Sequence, residues 1–188
     1  MTMTNKAYDI QRWGFTSSDR ILPDANFWIN VFGPAAVVSS PRSRAPIYSQ
    51  CFRNMLTKNT RLYLDVLVAS EFVNALARQE FGARYQAKYQ SFKRFRNSQD
   101  FQPVARFISN ELAKILKFST RVDHPFSQVD IDQIITDFRQ GGEDFNDQLI
   151  TEIAKDQGLK LLTDDGDMTE GGIEVLTANP RLLSSCPH

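Results

Sequence analysis

Cysteine and histidine are both scarce in this chain of 188 residues. There are two of each, Cys51 and Cys186, His124 and His188. No CxxC pair occurs, so a disulfide scaffold is excluded and a structural zinc site is not expected. Two isolated thiols, one in a helical pattern and one in the tail, are expected to be free in a reducing cytosol. Long apolar runs are missing too, since no stretch reaches the roughly 18 residues that span a bilayer. Residues 1–20 are polar and lack the apolar segment of a signal peptide. The expectation is a cytoplasmic protein with no membrane partner. Net charge is also absent: 22 basic and 22 acidic side chains cancel, which excludes a uniformly basic nucleic-acid coat. What remains is globular composition, 41% hydrophobic and 23% charged, too apolar for disorder. The length suits a single domain over 1–188 with a sizeable core.

The zero net charge hides a segregation. Residues 1–77 carry +3, residues 78–121 carry +7, and residues 122–188 carry −10. A cationic middle attracts polyanions, and an acidic C-terminal third attracts cations.

Along the chain, Ile21-Leu22 is a short apolar run before Asp24 and a helical pattern. Pro34 and residues 39–46 read as a loop. Residues 47–58 form an amphipathic helical pattern, Leu62-Tyr63-Leu64 a strand, and residues 66–81 a strongly apolar helix. Two further helices are expected over 83–97 and 101–118, with a turn at Asn97-Ser98-Gln99-Asp100. Helices follow over 130–139, ended by Gly141-Gly142, and over 144–157, with Gly158 at the C′ position. Leu159–Thr163 and Ile173–Thr177 read as strands around an Asp-rich turn. Short strands alternating with helices predict an α/β fold with a mainly parallel sheet.

Ligands of open α/β sheets bind beyond the carboxyl ends of the strands, and acids gather at such places here. Asp24 follows the first strand, and Asp164, Asp165 and Asp167 follow Leu159–Thr163. Asp144 and Asp147 lie three apart at a helix start and share a face. Glu71 is the only acid within residues 66–79, where burial without a partner or a cation is costly. Carboxylates converging on one pocket repel unless divalent cations or shifted pKa values relieve them. Hard oxygen ligands favour Mg²⁺ or Mn²⁺. Each acid also has a plainer reading: Asp144 and Asp24 as helix N-caps, residues 164–167 as a polar turn, Glu71 as a rim residue. It is their order along the chain that is distinctive.

That order resembles the PIN domain, the metal-dependent ribonuclease fold of VapBC-type toxins and RNA-processing nucleases. ILPDANFWINVF is similar to the family's strand-Asp-x-Asn opening, with Asp24 in the first acidic position. VLVASEFVNALAR is similar to the helix that bears its glutamate, here Glu71. DFNDQLITEIAKDQGLKLLTDDGDM is similar to its acidic helix, glycine, strand and T-x-D-x-D turn. There Asp147 is the third acid with Asp144 as auxiliary, Asp165 the fourth, and Thr163 and Asp167 the flanking hydroxyl and acid. The resemblance covers roughly residues 20–81 and 130–183.

It implies a three-layer α/β/α sandwich with a helical insertion over roughly 82–128 that clips RNA or a partner. It implies Mg²⁺- or Mn²⁺-dependent hydrolysis of RNA phosphodiester bonds. Asp24, Glu71, Asp147 and Asp165 would be catalytic, and Asp24, Asp144, Asp147, Asp165 and Asp167 would be metal ligands. The setting would be a toxin with an antitoxin partner, with an RNA-processing enzyme and a homodimer as the open alternatives. Pro23 stands where the family has an ordinary strand residue, so the strand is expected to end early or to shift Asp24.

Residues 83–96 interleave Arg84, Lys88, Lys93, Arg94 and Arg96 with Tyr85, Tyr89, Phe92 and Phe95. The cations are candidates for RNA phosphates, whereas the i, i+4, i+7 aromatics read better as helix packing. Two alternatives differ in class. One is a noncatalytic RNA- or protein-binding module on the same fold. The other is a phospho-acceptor domain, which wants a lysine at a late strand end where Leu176-Thr177-Ala178 offers none.

Overall fold

Every strand is three or four residues long, so helices have to supply most of the core. The computed structural model describes residues 3–34, 43–141 and 144–187. The loop read over 39–46 therefore lies partly outside the described residues, and Gly142 and His188 lie wholly outside. Among the described residues, β1 (Lys6–Asp9), β2 (Arg20–Pro23), β3 (Arg61–Leu64), β4 (Ser119–Arg121), β5 (Lys160–Leu162) and β6 (Glu174–Thr177) form one all-parallel sheet. Its order is β1-β6-β5-β2-β3-β4. Flanking helices complete a three-layer α/β/α sandwich; the alternating pattern predicts the α/β class and the parallel sheet, and the layering is the one expected from the resemblance.

The helices are α1 (Ala25–Phe32), α2 (Ala45–Thr57), α3 (Val66–Glu80), α4 (Phe92–Arg96), α5 (Phe101–Phe118), α6 (Ile131–Arg139), α7 (Phe145–Gln157) and α8 (Pro180–Ser185). Local chemistry sets many of their starts. Asp24, Asp65, Asp130, Asp144 and Asn179 each accept a backbone N–H from the first turn of the helix that follows, which satisfies donors the helix leaves orphaned. Gly158 ends α7 in the left-handed region (φ 58°). Phe27, Trp28, Tyr48, Phe72, Ile150 and Ile153 are fully buried members of one contiguous core on the sheet.

The chain steps from β2 outward to β3 and β4, then crosses back to β5 on the other side of β2. Right-handed crossovers put the connections of the two directions on opposite faces. The reversal makes the β2/β5 boundary the topological switch point, the place where ligands of open α/β sheets bind.

Pro23 does not displace Asp24. It closes β2 opposite Leu162, and the Asp24 N–H donates to the Leu162 carbonyl at 2.9 Å. N–H groups alternate between neighbours along a parallel strand, so the missing donor of Pro23 faces β3. Pairing with β3 has already stopped at Ile21, and the proline costs no ladder bond.

One expectation needs correction, and three elements lie outside the sequence reading. The strands β1 and β4 and the helix α8 carry no signal strong enough to be read from the sequence. The helix expected over 83–97 is broken: α3 runs into a π-type turn at Phe81–Tyr85, and only Phe92–Arg96 is α-helical beyond it. The aromatic spacing instead builds a small cluster on fully buried Phe95, ringed by Phe81, Tyr85, Tyr89, Phe92 and Phe101 at centroid distances of 4.4–6.4 Å. This cluster joins the end of α3 to the start of α5. The middle segment is thus a helical hairpin with α4 at its tip, and β4 returns it to the sheet beside β3.

Candidate active site

The β2/β5 boundary is built on one side by Asp24 and α1. Asp24 is buried, and its Oδ1 accepts the Ala25 N–H at 2.6 Å. Its Oδ2 accepts the Thr163 hydroxyl at 2.9 Å from the end of β5. Burial outweighs both bonds and pushes the carboxyl up to about 6, helped by the charge of Asp165. Asn26, in the first turn of α1, donates to the Thr163 hydroxyl at 3.0 Å and accepts the Asp164 N–H at 2.8 Å. Asp165 N–H donates to the same hydroxyl at 3.0 Å. The exits of β2 and β5 are therefore laced together by one hydroxyl and one amide.

The other acids come from two helices. Glu71 lies on α3, open to solvent at the rim. Crowding of its carboxyl by protein, then the charges of Asp24, Asp144 and Asp165, push it up to about 7. Asp147 is half-buried in the first turn of α7, and burial followed by Asp24, Asp165, Asp144 and Glu71 pushes it up to about 7. Asp144 caps α7 by accepting the Asn146 N–H at 2.8 Å. Its plainer reading as a cap therefore holds, while its charge still acts on Asp147 and Glu71. The amino ends of α1 and α7 both point into this region, and their dipoles favour the negative charge.

The structure sorts the acids of the β5 exit. Asp164 is countered: Arg44 Nε lies 2.5 Å from its Oδ1, Tyr48 donates to the same oxygen at 2.8 Å, and Asn30 reaches Oδ2 at 3.4 Å. Asp167, expected among the metal ligands, pairs instead with Arg181 at 2.6 Å and is exposed. Its backbone N–H donates to Asp165 Oδ1 at 2.8 Å, tightening the turn. Asn179 fixes the loop from beneath by donating to the Asp164 carbonyl at 2.6 Å. Among the described residues, Asp24, Glu71, Asp144, Asp147 and Asp165 have no ion pair. These five carry the net negative potential of the site.

Hard oxygen donors with uncompensated charge fit a divalent cation. Among the described residues no three of these acids form a group that could hold a metal ion as they stand. The groups that hold this frame and escape sequence reasoning are Asn26, Asn30, Arg44, Tyr48, Asn179 and Arg181. Only Asn26 had a local signal, its place two residues after Asp24.

The proposed RNA cations divide as well. Arg84 is tied to Glu80 at 3.3 Å, and Lys88 to Asp100, which also accepts the Tyr89 hydroxyl at 2.8 Å. Lys93, Arg94 and Arg96 are exposed on α4 and form no ion pair among the described residues. Tyr85, Tyr89 and Phe92 are taken up by the Phe95 cluster, as the packing reading expects.

No family of known proteins matches the chain, and no characterised protein matches it. Among solved structures it is similar to PAE2754 from Pyrobaculum aerophilum. Identity is 17%, coverage is 85% of this chain and 92% of that one, and the TM-score is 0.45.

Proposed function

We propose that the protein is a ribonuclease of the PIN type that hydrolyses RNA phosphodiester bonds with Mg²⁺ or Mn²⁺. The observation that carries this reading is the set of five carboxylates at the topological switch point with no ion pair among the described residues, three of them pushed up to about 6 or 7 by burial and by one another. Such a cluster wastes stability unless it has cations to hold. A bound Mg²⁺ or Mn²⁺ would supply Lewis acidity and a water of lowered pKa.

In this reading Asp24, Asp147 and Asp165 would hold the cation, with Asp144 beside Asp147. Glu71, at the rim with a carboxyl near neutrality, is placed to take a proton from an attacking water or to orient it. Thr163 keeps Asp24 and Asp165 in register through its hydroxyl. Lys93, Arg94 and Arg96 form the RNA-facing tip of the helical hairpin. A toxin with an antitoxin partner is the setting that the family resemblance favours, and a homodimer that sets two hairpins together is compatible with it.

The test uses purified protein with cellular RNA and a tRNA pool in Mg²⁺, Mn²⁺ or EDTA, beside Asp147→Asn. Discrete, metal-dependent cleavage should fall by more than about 100-fold in the variant, since even outer partners of metal ligands cost about 10–100-fold. Cleavage that is indifferent to both EDTA and Asp147→Asn would sink the assignment. A noncatalytic RNA-binding module is the second reading. It is favoured by Asp24 being committed to its cap and to Thr163, and by the free cations of α4. RNA binding that persists in EDTA without product would favour it.

A further inference from the structure

Five uncompensated carboxylates repel the very polyanion they are proposed to process. A site of this kind needs a fixed cation beside the acids, oriented so that it can still meet a phosphate. Arg44 occupies that place. It sits at the start of α2, and its Nε contacts Oδ1 of Asp164, the chain neighbour of Asp165. The contact is one-sided. Arginine that serves only to neutralise a carboxylate commonly docks with two parallel bonds, but here Oδ2 of Asp164 is taken by Asn30. Among the described residues Arg44 hydrogen-bonds to Asp164 through Nε, and its side chain is about one-third exposed (32%).

The frame around Arg44 is rigid. Tyr48, one turn further along α2 and fully buried, donates to Asp164 Oδ1 at 2.8 Å, lies 3.0 Å from the Thr163 carbonyl, and accepts the Ala178 N–H at 3.0 Å. Asp164 therefore holds the guanidinium by its Nε edge and leaves the fork outward. The positive end of the α2 dipole adds to its field.

We propose that Arg44 is a phosphate anchor: its guanidinium binds an RNA backbone phosphate beside the acidic cluster, holding the strand while the neighbouring linkage lies over Asp24, Asp147 and Asp165. The inference rests on the nuclease reading and names how that site receives its substrate. Arg44 acts here as a substrate-positioning residue, and Asn30 supports it through Asp164. An internal phosphate and a terminal 5′-phosphate share the same chemistry, and the probe separates them.

The experiment follows binding of a fluorescein-labelled single-stranded RNA of about twelve nucleotides by anisotropy, across about 50–200 mM KCl. The full chain carries Asp147→Asn so that the RNA survives. Arg44→Ala on that background should weaken binding about fivefold at about 0.1 M salt, and should flatten the slope of log K against log salt by about 0.7, the share of one phosphate on a single strand. Arg44→Lys should restore the slope. A 5′-hydroxyl RNA should behave in the same way as a 5′-phosphorylated one; loss of the Arg44 effect on the former would move the anchor to the strand end and overturn the internal assignment. If Arg44→Ala lowers the melting temperature while the salt slope stays put, Arg44 is only a staple for Asp164 and the inference falls. Wild-type cleavage in Mn²⁺ is run alongside. If cleavage is seen with an unchanged slope, the anchor fails and the nuclease stands. If there is neither cleavage nor RNA binding, both fail.

Discussion

The Thr163 hydroxyl touches three groups from two strand exits: it donates to Asp24 and accepts from Asn26 and from the Asp165 backbone. Thr163→Val keeps the shape and removes these bonds. Asp24 Oδ2 is then left buried without its donor, at a cost of about 1–3 kcal/mol. The bond from Thr163 is also the larger of the two influences that lower the Asp24 carboxyl against burial. Its pKa should therefore climb above about 6 in the valine variant, and Thr163→Ser should reverse most of both effects. Urea melts and a carboxyl titration by NMR would check this; a valine variant as stable as the parent with Asp24 titrating unchanged would refute it. At this scale the sequence makes legible what is local. Asp24 before a helix and Thr163 before an acidic turn declare themselves by their neighbours. Arg44 and Tyr48 do not, because their partner Asp164 lies 120 and 116 residues away. For the same reason nothing in the turn's sequence tells which of its acids is neutralised. Asp167 looks as available as Asp165 until Arg181 is brought to it by α8.

Elements became legible in proportion to how much apolar surface they bury. α5 is read to the residue, and α3, α6 and α7 nearly so, because each carries apolar residues at helical spacing over nine residues or more. β4 is a three-residue polar edge strand with two exposed positions, so no alternation marks it. β1 is four residues with one buried. The stretch 83–97 misleads for a different reason: its aromatics converge on Phe95 from a π-turn, a loop and a short helix, and that convergence mimics a helical period. Gly158 is an element-scale signal that can be tested. It closes α7 at φ 58°, and a Cβ there would meet no atom within 4 Å. Gly158→Ala therefore isolates the backbone cost of the left-handed region, about 1–2 kcal/mol. Calorimetry should show a fall of about 2–8 °C in melting temperature. Gly158 sits at the far end of α7 from Asp147, about 16 Å along the axis at 1.5 Å per residue, so RNA cleavage by the folded fraction should be unchanged. An unaltered melting temperature would mean that the turn relaxes at no cost.

For the whole molecule, the acidic cluster converts pH into stability. Asp24, Glu71 and Asp147 rise from ordinary carboxylate values (3.8 for Asp, 4.5 for Glu) to about 6, 7 and 7 in the folded chain. The folded state therefore holds more protons than the unfolded state between about pH 4 and 7. The contribution of these three groups to stability is greatest on the acid side of that window, falls as pH rises through it, and levels off above about 7. On the proposed reading a divalent cation would act in the opposite sense, because it would bind the deprotonated acids and have to displace protons below about pH 7. Millimolar Mn²⁺ or Mg²⁺ should thus raise the melting temperature by a few degrees at about pH 8, as mass action on the folded state requires, and by much less at about pH 5. Asp147→Asn removes one of the shifted carboxyls, so it should raise stability at about pH 8 without metal while reducing the gain on adding it. A single replacement that stabilises the empty site and weakens its response to cations is what a charge-strained metal centre predicts and a helix-capping carboxylate does not. Thermal melts at the two pH values, with and without metal, decide it: a metal gain of equal size at both, or an Asp147→Asn variant less stable than the parent without metal, would show that these acids are held by something other than their need for a cation.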